Sequence, residues 1–125
     1  MMDFKETKGI FQQIADNICD RILSGNLPIG SKIPSVREQA ATLGVNHNTI
    51  MRTYMELQRD EIISNKRGVG YFVAENAPEQ IRAMRKKEFF EQVLPEFIHQ
   101  IELLKITRTD VQNLIEKLEE NETSN

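Results

Sequence analysis

The sequence predicts a mostly α-helical fold with one small β-hairpin, followed by a separate helical tail. In the first half of the chain, apolar residues recur at helical spacing in segments that glycine and proline interrupt. A short basic turn with glycines then separates two apolar runs at about residues 62–74, and further helical stripes begin after residue 78. Turn residues at positions 75–78 mark a boundary between the hairpin and these later stripes. We therefore predict a first domain at residues 1–76 and a tail at residues 77–125.

The first helix is predicted from its apolar spacing. Four isoleucines recur at every fourth position and mark one face of an amphipathic helix: Ile10, Ile14, Ile18 and Ile22. Gly25 is expected to end this helix, because glycine readily adopts the left-handed conformation of a C-terminal cap. The following stretch NLPIGSKIP contains two prolines and a glycine, so we expect a loop there.

Two short helices joined by a short turn come next. Ser35 and Glu38 have the spacing of a capping box, in which each side chain satisfies a free backbone amide at a helix start, and Gly44 is expected to end this second helix. Asn46 is a strong N-cap type and is expected to begin a third helix. The buried face of that helix should contain Ile50, Tyr54 and Leu57. This arrangement, at about residues 35–58, is a helix-turn-helix.

The apolar runs at residues 62–63 and 71–73 flank a turn of serine, asparagine, lysine, arginine and glycine. This pattern predicts a β-hairpin with a basic tip, a wing beside the helix-turn-helix. Gly68-Val69-Gly70 lacks the spacing of nucleotide-binding loops and precedes a strand, whereas those loops precede a helix. Glycines would let the tip approach a DNA minor groove, where Arg67 could enter or contact phosphates, although either glycine alone also fits a plain hairpin turn.

The third helix has an outward face suited to DNA. With Ile50 directed to the core, Asn48 and Arg52 fall on the opposite side of the helix, and Thr49 lies on its flank near the N-terminus. In the major groove, arginine can bind guanine O6 and N7, and asparagine can bind adenine N6 and N7. A plain solvated helix face is the alternative, but the position within a helix-turn-helix favours base reading.

The tail carries a wide apolar stripe over two predicted helices. Pro95 is expected to bend the first of them, because its ring removes the hydrogen bond to the Glu91 carbonyl, and a capping signal at residues 107–110 starts the second. Two helices of this size cannot hide so many apolar side chains, so we expect a second copy to cover them and to form a homodimer. The expected dimerisation residues are Phe90, Leu94, Phe97, Ile98, Ile101, Leu104, Leu114 and Leu118.

Charge and composition limit the function. The net charge of −3 argues against a nucleic-acid partner, but residues 31–70 contain six basic against four acidic residues, and the excess acid lies in the tail. Two histidines and a single cysteine give no metal-ligand cluster, no catalytic motif surrounds His47, and no cofactor site is recognisable. We therefore expect no enzyme, metal or cofactor. The lone Cys19, no signal peptide and no membrane span favour a cytoplasmic protein.

Residues 8–74 resemble the winged helix-turn-helix domain of the GntR family of bacterial transcription regulators. The resemblance is carried by PSVREQA, LGVNHNT and GVGYFV, which occur in the family's order and spacing. The short helical tail is similar to that of the YtrA-like branch, whose members are dimeric repressors, often of transporter operons. This implies a regulator that binds a palindromic operator. A winged-helix protein-interaction module without specific DNA binding is the alternative.

The resemblance also implies roles for individual residues. Arg37 matches the family's DNA-contacting arginine in the second helix, and Thr49 matches its threonine in the third. Arg67 and Gly68 match the wing contacts. His47 and Met51 replace the arginines of many members, while Asn48 and Arg52 fit the Asn-Thr-x-x-Arg variant of the YtrA-like branch. The full set expected to contact DNA is Ser35, Arg37, Asn46, His47, Asn48, Thr49, Arg52, Lys66, Arg67 and Gly68.

Overall fold

A computed structural model describes residues 9–124, with side chains as far as Glu122. The chain forms two compact units, of which the first ends at Met84 and the second begins at Arg85. The first unit contains α1 (Ile10–Leu23), β1 (Lys32–Ile33), α2 (Val36–Leu43), α3 (His47–Arg59), β2 (Ile63–Lys66), β3 (Gly70–Val73) and most of α4 (Ala77–Glu88). The second contains a π-helical turn (Phe89–Val93), α5 (Leu94–Leu104) and α6 (Arg108–Ser124).

The helix starts follow the predicted caps. The Ser35 hydroxyl accepts a hydrogen bond from the Glu38 amide at 3.1 Å, and the Ser35 amide donates to Glu38 Oε1 at 3.2 Å, which completes the capping box of α2. The bond from the Ser35 amide, followed by that of its side chain, lowers the pKa of Glu38 because both favour the carboxylate. Gly44 ends α2 in the left-handed conformation, at φ 64°.

The small sheet has three strands, one more than the predicted hairpin. Its order is β1-β3-β2, and both pairs are antiparallel. The extra strand, β1, lies in the stretch for which a loop was predicted. Ile33 pairs with Tyr71 and is 1% exposed, so the loop prediction was wrong at this point. Two residues next to a proline are too few to show strand periodicity in the sequence.

The core of the first unit joins α1, α3, the sheet and the start of α4. Its buried apolar side chains include Ile14, Ile18, Ile22, Leu27, Ile33, Ile50, Tyr54, Leu57, Ile62, Ile63, Val73, Ala77 and Ile81. The last two lie beyond the boundary at residues 76 and 77 that the turn residues predicted. Because Ile81 is 1% exposed, the first compact unit continues into α4 and reaches Met84.

The second unit interrupts its helix close to Pro95. The interruption is a π turn in which the Leu94 amide donates to the Phe89 carbonyl, and Pro95 then lies in the first turn of α5. The π turn shifts the register of the backbone hydrogen bonds directly before a residue that has no amide hydrogen to donate, which is how the helical path accommodates the proline. Thr107 and Asp110 form a reciprocal cap at the start of α6, as predicted. Within residues 9–124, no helix is both long and apolar enough to cross a membrane.

Candidate nucleic-acid interface

The start of α3 is fixed by Asn46. Its side-chain oxygen accepts a hydrogen bond from the Asn48 amide at 2.7 Å, which satisfies one of the free donors of the first turn. Because Ile50, Tyr54 and Leu57 are buried on the inner face, as predicted, His47 and Asn48 are exposed on the outer side. The polar run at the start of α3 is therefore a capped helix terminus whose side chains face solvent.

The rest of the outer face is also exposed. Arg52, Met51 and Met55 are exposed, whereas Thr49 is half-buried. Thr53 is fully buried, which the apolar spacing did not predict, and its hydroxyl donates to the Thr49 carbonyl at 2.8 Å. That internal bond is what allows a polar side chain at a core position of the helix.

Removing the Asn46 cap should destabilise the first unit without unfolding it. We expect Asn46→Ala to lower the free energy of unfolding by about 1 kcal/mol, because the Asn48 amide loses its acceptor. Asn46→Ser retains a capping oxygen and should be nearly as stable as the unsubstituted protein. Urea unfolding of the three proteins measures the free energies of unfolding. Equal stability of the alanine variant and the unsubstituted protein would contradict the capping role.

Ser35 and Arg37 lie at the start of α2. The Ser35 hydroxyl is occupied by the cap of that helix, so its predicted contact with DNA would share an atom already bonded within the protein. Arg37 is exposed, and within the described part of the chain its guanidinium makes no hydrogen bond or ion pair. No described residue occupies its donors, so they can bind an external acceptor.

The tip of the wing joins β2 to β3. The Val69 amide donates to the Lys66 carbonyl at 2.8 Å and closes the turn, while Gly68 has a φ of 80°, a conformation that side chains other than glycine disfavour. The Lys66 ammonium lies 4.5 Å from the centre of the Phe72 ring. Arg67 and Gly68 are exposed at the tip, in agreement with a basic turn open to solvent.

Tyr54 links the three segments that hold the predicted contacts. Its hydroxyl donates to the Pro34 carbonyl at 2.7 Å, directly before the start of α2, and its ring packs edge-to-face on Tyr71 of β3 at a centroid distance of 5.0 Å. The tyrosine itself belongs to α3. One buried side chain therefore ties α3 to the start of α2 and to the wing.

Two arginines on the outer side of α3 differ in their surroundings. Arg59 pairs with Asp60 at 3.3 Å and with Glu56 at 3.9 Å, so its charge is partly used within the protein. The Arg52 guanidinium carbon lies 4.9 Å from the centre of the Phe11 ring of α1. No pattern in the sequence indicates this contact, because it joins residues far apart in the chain.

The geometry favours a surface that contacts a polyanion. The exposed side chains His47 and Asn48 lie at the start of α3, which is the positive end of the helix dipole. The exposed cations of α2 and the wing belong to the same unit. Among the described residues, no group of three or more histidine, cysteine, aspartate or glutamate side chains could hold a metal ion. Base edges and phosphates match the donors of this surface.

Comparison with known proteins identifies the family of this chain. The family model described as bacterial regulatory proteins, gntR family, matches residues 10–73. The uncharacterized HTH-type transcriptional regulator YhcF of Bacillus subtilis is 41% identical over 108 residues, which are 86% of this chain and 88% of YhcF. The HTH-type transcriptional repressor YtrA of the same bacterium is 38% identical over 76 residues, covering 61% of this chain and 58% of YtrA.

The fold comparison extends over both units. A crystal structure from Bacteroides thetaiotaomicron, described as a transcriptional regulator of the GntR family, is 39% identical, with a TM-score of 0.74. The match covers 91% of this chain and 99% of that one. The regulators of this family are DNA-binding proteins and not enzymes. The chain belongs to the GntR family and is a DNA-binding transcriptional regulator with a winged helix-turn-helix fold.

Proposed function

We propose that the protein is a dimeric repressor that binds a palindromic operator. The observation that carries this proposal is the exposed polar face at the start of α3, where Asn48 and Arg52 are exposed on a capped helix. A surface of this kind on the second helix of a helix-turn-helix enters a major groove. In a two-fold dimer, the two helices would read half-sites about one helical turn apart, or a multiple of that.

Each predicted contact has a role in this proposal. Asn48 and Arg52 read base edges, with Thr49 and His47 beside them, because amide and guanidinium groups can pair with adenine and guanine. Arg37 binds a base or a phosphate from the start of α2. On the wing, Lys66, Arg67 and Gly68 contact the phosphates or the minor groove, while Ser35 and Asn46 act mainly through the caps that place α2 and α3.

The homodimer is supported by the apolar surface of the second unit. Phe97 is 47% exposed, Leu104 66% and Leu118 65%, although all three belong to the predicted stripes. A second copy of the chain that covers these exposed stripes would stabilise the dimer, since burying each large apolar side chain contributes about 1.5–3 kcal/mol. An isologous interface would also set the spacing of the two DNA-reading helices.

Repression is supported by the similarity to one relative that is a transcriptional repressor, YtrA of Bacillus subtilis. The resemblance to the YtrA-like branch further implies control of a transporter operon, and a cytoplasmic protein would meet that DNA directly. A footprint of the protein on the promoter of a neighbouring transporter operon, with lower transcription when the protein is added, tests both parts. Protection without a change in transcription would overturn repression.

Removing the exposed arginine of α2 should weaken DNA binding. We expect Arg37→Ala to lower the affinity for a duplex selected by the protein from a random pool by about 1–3 kcal/mol, the usual value of a bidentate base contact. Arg108→Ala makes the same change of charge on an exposed residue of the second unit and is the matched control. Fluorescence anisotropy at one salt concentration measures both variants.

The salt dependence of the same measurement identifies the kind of contact. If Arg37 binds a base, Arg37→Ala should show nearly the same slope of log affinity against log salt concentration as the unsubstituted protein. If Arg37 binds a phosphate, the slope of the variant should be shallower by about one. An affinity for the selected duplex no better than for a scrambled one, at equal salt, would contradict the proposed sequence-specific function. An unchanged affinity of Arg37→Ala would contradict its place in the interface.

A further inference from the structure

We propose that Phe11 of α1, outside the helix-turn-helix, is a positioning residue for Arg52. The inference rests on the proposed function, in which Arg52 reads a base. Its starting point is the distance of 4.9 Å between the Arg52 guanidinium carbon and the centre of the Phe11 ring. At this distance the cation is attracted to the negative face of the ring.

The two helices are held together by the core, which makes the contact a fixed feature of the first unit. On α1, Ile14 and Ile18 are buried, and on α3 Ile50 and Tyr54 are 0% exposed. Phe11 itself is half-buried, about one turn before Ile14 on the same helix. The ring therefore has a defined position. Its contact restricts the long side chain of Arg52 to a position that α3 alone would not impose.

The contact leaves the hydrogen-bonding edge of Arg52 free. Within the described part of the chain, Arg52 makes no hydrogen bond or ion pair, whereas Arg59, two turns further along α3, uses its guanidinium for Asp60 and Glu56. A ring attracts the cation without consuming any of its N–H donors, which lie in the plane of the guanidinium. Those donors are the groups that would pair with guanine O6 and N7.

Holding Arg52 in advance should favour the specific complex. A free arginine side chain loses rotational freedom when it binds a base, and a side chain already restricted by an aromatic neighbour loses less. This smaller loss of side-chain entropy matters only where Arg52 makes a contact of defined geometry with a base. Binding that depends on charge alone, as on random DNA, gains little from the restriction.

The test compares three substitutions in the full-length protein. Phe11→Leu keeps an apolar side chain but removes the aromatic face, Phe11→Tyr keeps the face, and Arg52→Ala removes the cation. The probes are a duplex selected from a random pool by the unsubstituted protein and a scrambled duplex of the same length. Affinities are measured by fluorescence anisotropy at one salt concentration, for the single variants and for Phe11→Leu combined with Arg52→Ala.

We expect Phe11→Leu to weaken binding of the selected duplex by about two- to fivefold, the range that an exposed cation–π contact supplies. Binding of the scrambled duplex should not change, and Phe11→Tyr should bind the selected duplex like the unsubstituted protein. In the Arg52→Ala background, Phe11→Leu should have no further effect, because the side chain that it positions is gone.

The outcomes separate this inference from the proposed function. A loss from Phe11→Leu of equal size in the Arg52→Ala background, or on both duplexes, would show that Phe11 merely supports the fold and would overturn the inference. No loss from Arg52→Ala, together with a loss from Arg37→Ala, would overturn it while specific DNA binding stands. If the unsubstituted protein binds both duplexes equally, the proposed function itself fails.

Discussion

Replacing Phe97 with glutamate is expected to make the protein monomeric and to lower its affinity for a two-half-site operator by about 10²–10⁴-fold. Phe97 lies on the apolar stripe of α5 and is 47% exposed within the single chain. In a dimer built on that stripe, the new carboxylate would be removed from water without a partner, which is costly. Sedimentation gives the oligomeric state, and anisotropy gives the affinity for duplexes with one or two half-sites.

The size of the effect comes from the second half-site and not from a lost contact with DNA. Once one half of a dimer is bound, its other half meets the second half-site at a high effective concentration. A monomer loses this advantage but keeps its own contacts. The variant should therefore bind a single half-site as the unsubstituted protein does, and only the two-half-site duplex should show the large loss.

His99→Glu is a matched control, because it places the same group about 200° around α5, on the side away from Phe97. It should leave the dimer intact. A truncation that removes the second unit provides an independent variant, and the structure fixes its end: residues up to Met84 must stay, since Ile81 belongs to the core of the first unit. A Phe97→Glu protein that remains dimeric at micromolar concentration would exclude this interface.

Local chemistry explains why most of the first unit could be predicted from the sequence. The capping box at Ser35 and Glu38, the N-cap at Asn46 and the glycine at position 44 each act through backbone groups a few residues away. Apolar spacing likewise depends on a single helix, so the buried face of α3 was predicted correctly. The roles of the outward residues in DNA binding remain predictions.

The features that could not be predicted depend on residues distant in the chain. β1 exists because Lys32 and Ile33 pair with a strand some 40 residues later, and the contact of Phe11 with Arg52 spans a similar separation. Turn residues placed the boundary after Asn76, but the burial of Ile81 depends on what packs against it. The π turn before Pro95 is a local change of helix geometry that the spacing of apolar residues does not predict.

Tyr54 should make the stability of the first unit fall at high pH. Burial, with smaller contributions from Tyr71 and Glu38, raises the pKa of Tyr54 from 10.0 to about 12, since the charged phenolate is disfavoured away from water. The hydroxyl proton is also donated to the Pro34 carbonyl. A pKa raised on folding gives stability that is fully present below pH 10 and is lost as the pH rises from about 10 through about 12. The full loss is on the order of 3 kcal/mol.

Tyr54→Phe isolates this effect, because it keeps the ring and removes the group that ionises. At pH 7 the variant should be less stable than the unsubstituted protein by about 1 kcal/mol, since the half-buried Pro34 carbonyl loses its donor. At pH 11 that difference should shrink by about 1 kcal/mol, because only the unsubstituted protein has a buried hydroxyl that resists ionisation. Tyr71→Phe, which removes the other tyrosine hydroxyl, should leave the alkaline loss in place. Urea unfolding at the two pH values measures all three proteins, and a difference between the unsubstituted protein and Tyr54→Phe that stays constant from pH 7 to 11 would show that folding does not raise the pKa of Tyr54.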